Sequence, residues 1–282
     1  MATRTWVGTA EGSEGEWDVA DNWDEGVVPE TGDDVYFVSG SQDLNADLAQ
    51  SALTLDSLNF GPKWTGSIPD ELEINATVLD VSSKSGAIYL EGTFTTANIQ
   101  STSSDDPAIQ FTSSTITTLN ITGGSGTVKV TGAGSEISTA INMIGASGAT
   151  LYVDAGSDVS GADVTIDAGW IEAYEEFGSI NQYGGTTEIK NVSDTLATLN
   201  LYDGTCRYAP TGAAVLTTLT IYGGLFDMTD CVSPSHTITT ATVYSGGTID
   251  ERNGLRNGVY TNPVTLNGGI IKCDLGREVT VT

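Results

Sequence analysis

Glycine recurs along this 282-residue chain at a period near twenty, and a repeat of that length constrains the fold more than any other feature. The positions are Gly66, Gly86, Gly126, Gly148, Gly169, Gly185, Gly204, Gly224, Gly247 and Gly269. Eight of the nine intervals lie between 16 and 23 residues; the ninth, Gly86 to Gly126, is 40 and holds two units with one glycine missing near Pro107. Such a period is the signature of a stacked array in which each unit covers its neighbour's apolar face.

The residues around the glycines name the unit. Two positions after them, eight of ten residues are apolar, from Ile68 and Ile88 to Ile249 and Ile271, with Thr150 and Thr187 the exceptions. Five positions before them eight of ten are apolar again, among them Val81, Ile121, Leu199 and Val264. Between the two, apolar and polar residues alternate, as in LTIYGGLFDM (219–228), which predicts strands with one face inside. Glycine suits the corners because it reaches backbone angles closed to other residues. No stretch keeps a helical apolar spacing. Hairpins would leave Asn-Gly or Asp-Gly turns throughout. Here Asp203-Gly204, Asn253-Gly254, Asn257-Gly258 and Asn267-Gly268 are confined to the later part of the chain, which disfavours a sandwich or propeller. The expectation is an all-β, right-handed parallel β-helix of about eleven coils over 51–282, on the order of 50 Å long, behind an N-terminal Trp-rich cap or attachment segment over 1–50.

Thirty-seven acids against ten bases give a formal charge of -27. That balance excludes nucleic acid and anionic membranes as partners, because the cations that neutralise phosphates are missing; it reads as a solubility device. Calcium held between acidic loops would need oxygen ligands at fixed spacing, and neither an EF-hand loop nor a GGxGxD repeat occurs, so no metal or cofactor is expected. Nothing approaches an eighteen-residue apolar span. Residues 1–30 lack the basic start and apolar core of a signal peptide, so synthesis in a cytoplasm without general export is expected. Cys206, Cys231 and Cys273 are odd in number and widely spaced, which reads as buried small hydrophobes and not as a disulfide framework.

The first segment differs from the rest. Trp6, Trp17 and Trp23 precede Pro29, Gly32, Asp33, Asp34, Val35, Tyr36 and Phe37, giving Trp, then Asn-Trp, a gap, Pro, and Gly-Asp before a strand. Over about 35 residues this resembles the opening motif of bacterial and phage-encoded surface β-helices, including the autotransporter-associated β-strand-repeat proteins. The resemblance implies a β-helix and a surface or virion role. Physically the tryptophans suit a cap, since an open β-helix end exposes apolar side chains and unpaired backbone. A sugar-stacking platform is the alternative.

Candidate chemistry is sparse. His236, in the turn SPSH, reads as an exposed loop residue. Glycoside hydrolysis needs two carboxylates held at a set separation, and Asp167, Glu172, Glu175 and Glu176, around Trp170 and Tyr174, are the candidates; a solvated coil face is the plainer reading. Asp105–Gln110 (DDPAIQ) resembles a motif that opens tailspike and pectinase-like β-helices, but lies mid-chain and runs into Phe111-Thr112-Ser113-Ser114, so it transfers no catalytic residue. The expected role is a non-enzymatic virion protein, a capsid decoration, head fibre or tail-associated rod. It would be a homotrimer on a major capsid or tail protein, with host-surface polysaccharide a further contact. The alternatives are a carbohydrate-active enzyme and a secreted, cell-surface adhesin passenger.

Overall fold

The computed structural model describes residues 2–84, 86–101, 103–190, 195–231, 236–252, 259–274 and 279–282. Asn253-Gly254, Asn257-Gly258, the first three residues of SPSH, Arg256 and Arg277 lie outside the described residues.

The chain winds as a parallel β-solenoid. Among the described residues twenty-four strands join in one hydrogen-bonded sheet, and each pairs in parallel with a strand one coil away, giving two ladders. Face one runs from Asp34–Gly40 through Thr115–Ile121 and Thr195–Leu201 to Thr237–Tyr244 and Thr265–Asn267. Face two runs from the start of Ile68–Val81 through Ile88–Glu91 and Trp170–Ala173 to Ile270–Lys272. Among the described residues the only helix is the single turn Ala20–Asn22, and none is long and apolar enough to cross a membrane.

Register explains the apolar alternation. Successive strands on face one pair Val35 with Leu58, Leu58 with Leu79, Leu79 with Ala97, and Ala97 with Leu119; the same column continues through Ile141, Val164, Ile180, Leu199 and Leu219 to Ala241. All are fully buried. Two residues on, a second inward column runs from Phe37 to Val243 and breaks its apolar character once, at the buried Gln182. Burying each Val, Leu, Ile, Phe or Met of these columns stabilises by about 1.5–3 kcal/mol. Because each coil covers the next, the core is one continuous cluster from Trp6 to Val264. Two strands within the first fifty residues belong to this stack: Thr3–Thr5 pairs with Asp34–Tyr36, which pairs with Ser57–Asn59.

The column two residues past each glycine is the inner column of face two: Ile88, Ile109, Val128, Leu151, Ile171, Thr187, Cys206, Phe226, Ile249 and Ile271. One position is corrected and one is borne out. Leu151, not Thr150, holds its coil's place, and Pro107 stands where the missing glycine belongs, two before Ile109. The column five residues before the glycine is two columns merged. The corner from face one to the glycine is five residues in Val81–Gly86 and three in Leu201–Gly204, so a fixed offset lands first on the second inward column and later on the first.

The glycines themselves serve two purposes. Gly185 and Gly224 have φ of +67° and +78°, and a Cβ on either would lie 2.6 Å from the carbonyl oxygen of Gly169 or Gly204, one coil below. By contrast Gly247 and Gly126 turn without a positive φ and are required by contact, their Cβ positions lying 2.5 Å from Ile221 Cγ2 and 2.6 Å from Ala108 Cβ. Backbone freedom is therefore only part of why glycine marks the corners.

Leu119→Ala is expected to cost about 2–5 kcal/mol, because its neighbours Ala97 and Ile141 are pinned by their own coils and cannot collapse into the gap. The adjacent outward Thr118→Ala is expected to change stability by no more than about 0.5 kcal/mol. Urea denaturation of both checks the inward–outward assignment.

Candidate functional site

The opening motif builds a plug. Trp6, Trp17 and Trp23 are buried, with Trp23 edge-on to both others at 5.1 and 4.9 Å. Phe37 joins them to the first coils, 5.6 Å from Trp6 and stacked 4.8 Å from Phe60. The Trp23 indole donates to the Trp17 carbonyl at 2.8 Å. Asn22 is also buried: its amide donates to the carbonyls of Ser13 (2.6 Å) and Glu16 (2.9 Å), and its oxygen accepts from the Ala10 amide at 2.9 Å. Asp33 ties down the leading strand, accepting from Arg4 Nε at 2.8 Å, the Ala2 amide at 2.9 Å and the Glu30 amide at 3.2 Å. The three indoles are thus committed to the rod's end, and none presents a face on which a sugar ring could stack.

The four candidate carboxylates do not converge. Asp167 sits at the corner leaving face one, where it accepts from the Gly145 amide at 2.7 Å. Glu172 lies on the outside of face two, accepting from Tyr174 Oη and from Lys190 Nζ, each at 3.0 Å. Lys190 also reaches Glu188 at 3.4 Å. Burial presses the lysine's pKa down, but the hydrogen bond to Glu172 and the charges of both glutamates more than offset it and hold it above the ordinary value. Only Glu175 and Glu176 share a cleft, of about 490 Å³, with Asp158. Glu175 accepts from the Gly156 amide at 2.6 Å, and Asp158 from Ser160 Oγ at 2.7 Å. Glu176 is buried, so the solvated-face reading does not hold for it. Among the described residues no group of three His, Cys, Asp or Glu is placed to hold a metal ion.

Two further expectations change. His236 is fully buried, with Nδ1 3.3 Å from Cys231 Sγ and its ring edge-on to Tyr208. The strand Thr237–Tyr244 turns Ile238 inward, and the residue two before shares that side. Cys206 and Cys231 are buried, and burial raises the Cys206 thiol far above its usual range, but Cys273 is half-buried and is not a core residue.

The outer surface holds what the sequence reading missed. On face one the outward residue between the two inward columns is repeatedly asparagine. Asn98 Nδ2 donates to Asp80 at 2.7 Å, Asn120 to Asn98 at 2.8 Å, Asn142 to Asn120 at 2.9 Å and Asn200 to Asn181 at 3.0 Å. The next outward column, at the edge of this face, carries four exposed stacked tyrosines in successive coils before Asn267. Tyr183, Tyr202, Tyr222 and Tyr244 have centroids 4.5, 4.8 and 5.0 Å apart and planes within 8°. Burial and the neighbouring phenols raise the Tyr202 pKa, keeping the hydroxyl a neutral donor. Both ladders have a sequence signal: asparagine or threonine between apolar neighbours one coil apart, and tyrosine two or three residues before a corner glycine.

Face two is chemically different. Lys129, Lys190 and Arg207 lie on its outside, over the rings of Tyr152 (5.9 Å), Tyr174 (5.8 Å) and Trp170 (5.6 Å). Its charges are largely satisfied by one another. Face one carries bases only near its leading end among the described residues, Arg4 and Lys63, and its aspartates accept hydrogen bonds in the plane of the sheet: Asp34 from Ser57 Oγ at 2.6 Å, Asp80 from Asn98, and Asp163 from Ser179 Oγ at 2.6 Å.

Compared with family models, curated proteins and solved structures, the chain matches none.

The Asp33 carboxyl gives the cap an acid-labile link. Burial pushes its pKa up, but the Arg4 hydrogen bond and the amides of Ala2 and Glu30 outweigh this and hold it below its ordinary 3.8. Its contribution is complete above pH 3.8 and is lost as pH falls through the lower folded-state value. Asp33→Asn is expected to cost about 1–3 kcal/mol at pH 7 and to flatten the acid limb below pH 4. Denaturation followed by tryptophan fluorescence between pH 2 and 7 checks it.

Proposed function

We propose that this chain is a non-enzymatic structural rod of a surface assembly, with a virion as its setting: a capsid decoration, head fibre or tail-associated protein. The observation that carries this reading is how the side chains are spent. Inward columns fill a continuous core, the tryptophans close the leading end, and the charges of face two pair along the stack. Such a rod resists proteases, because opening one coil uncovers the apolar faces of two neighbours. A net charge of -27 keeps rods apart in solution and favours attachment through restricted uncharged areas. Its partners are further copies of itself, a major capsid or tail protein, and a host-surface polysaccharide. A passenger domain at a cell surface uses the same properties outside a particle.

Mass spectrometry of particles purified from an infected host carrying the gene is expected to find the chain at fixed stoichiometry with the major capsid or tail protein. Its absence from the particles would remove the virion role.

One observation favours a second reading. Glu175, Glu176 and Asp158 line one open cleft, and a pair of carboxylates is the minimum for glycoside hydrolysis. Incubation with neutral and acidic polysaccharides is expected to release no reducing ends. A product that disappears in both Glu175→Gln and Glu176→Gln would establish the enzyme and overturn the structural role.

A further inference from the structure

We infer that two copies of this chain associate antiparallel through the edge column of face one, across a two-fold axis at Ile144. The starting point is where exposed apolar residues lie. Eleven large hydrophobic side chains are exposed among the described residues, and six of them (Val38, Ile144, Tyr183, Tyr202, Tyr222 and Tyr244) belong to this one column. Backbone hydrogen bonds carry the column from coil to coil, for example Ile144 N to the Ile121 carbonyl at 3.0 Å and Tyr222 N to the Leu201 carbonyl at 2.8 Å. A concentrated apolar stripe on a highly charged monomer marks an interaction surface.

The column is also self-complementary. Its far end is the tyrosine ridge. Its near end is a notch of about 370 Å³, where Gly61 supplies no side chain between Val38 and Ser82; Phe37 and Phe60 line it together with the charged Lys63 and Asp80. Of the eleven coils from Val35 to Ala241, which span the notch and the ridge, Ile141 is the middle, and Ile144 lies beside it at the edge; Asn267 extends the column one coil past Tyr244 and overhangs the contact. A two-fold axis through that coil and along the contact plane reverses the rod and keeps each column opposite itself. Ile144 then meets its own copy. Tyr222 faces Gly61, Tyr202 faces Ser82, and Tyr244 faces Val38. The column's single charge, Asp167, falls opposite the Thr122 hydroxyl, a hydrogen-bond donor. A contact of this kind is isologous, made twice by symmetry.

Size and charge agree with a second copy as the occupant. Ten coil steps at about 4.8 Å, by three outward columns, give a face on the order of 700 Å², near the ~800 Å² per partner of a stable interface. No lysine, arginine or glutamate lies in these three columns, and the aspartates accept in-plane hydrogen bonds, so this is where two chains of charge -27 can approach with least repulsion. The two-fold replaces the three-fold expected from sequence. Three parallel rods would set their tyrosine ridges level, bulk against bulk, and leave the notches empty. The contact stands apart from the role proposed above: a particle lacking the chain leaves it untouched, and a monomer in solution leaves that role open.

Sedimentation equilibrium is expected to give about twice the 29.3 kDa chain mass, with association tightening as salt screens the net charge. Tyr222→Asp and Val38→Asp, both at exposed positions, are each expected to weaken dimerisation at least tenfold while the circular dichroism spectrum stays unchanged. Mixed together they are expected to regain part of it, because the mixed dimer keeps one intact ridge-in-notch contact. Under oxidising conditions Ser82→Cys with Tyr202→Cys is expected to give a covalent dimer, whereas Ser82→Cys with Tyr244→Cys, out of register, is not. A monomer at every concentration and salt, a trimer, or a dimer indifferent to both aspartates would overturn the inference.

Discussion

The structure depends on one constraint: parallel strands stacked one coil apart place like positions directly above one another, at the ~4.8 Å spacing of a hydrogen-bonded ladder. Every column must therefore be compatible with itself. Inside, branched aliphatic residues repeat because each fills the gap left by the one below. Outside, the side chains that tolerate repetition are those that can donate and accept along the column, or stack. Asparagine does the first and tyrosine the second. At the corners the same constraint brings backbone against backbone, as where Gly224 rests on the carbonyl of Gly204.

Self-compatibility is hardest to reach for charge, since like charges one ladder step apart repel. The two faces answer this differently. Face two stacks acids in adjacent pairs, Glu172 on Glu188 and Asp227 on Asp250, and offsets them with bases, so that Lys190 bridges Glu172 and Glu188 in adjacent coils. Face one carries few acids, and its aspartates accept hydrogen bonds within the sheet. One face is thus fitted for stability in water, and the other is a sparsely charged surface with an apolar edge. The rod's ends differ as well, because only the leading end bears the Asn22-pinned tryptophan plug.

Much of this was legible in the sequence because the corner glycines lie at a nearly fixed distance from the inner column of face two. That distance is set by local backbone geometry, so the column from Ile68 to Ile271 could be read with one displaced member, Thr150. The preceding column could not, because the corner between the faces varies from five residues at Val81–Gly86 to three at Leu201–Gly204 and four at Val243–Gly247. His236 looked like a loop residue because its neighbours are Ser and Pro; only the parity of the following strand shows that it turns inward. The asparagine and tyrosine ladders are written in the repeat, but at outward positions, which the inward apolar alternation does not mark. The acids at 167–176 are close in sequence and divided in space, since the coil turns between them and sends Asp167, Glu172 and Glu175 to different sides of the rod.

The most direct measurement of the coaxial, in-register stack is a distance along one column. Spin labels at Thr96→Cys and Thr218→Cys, on a Cys273→Ser background and diluted with unlabelled protein, sit on the same outward column six coils apart. Pulsed electron–electron resonance is predicted to give a single narrow distribution centred at roughly 29 Å, six ladder steps. A broad distribution, or a centre that is not close to six strand spacings, would contradict the stacked-coil account.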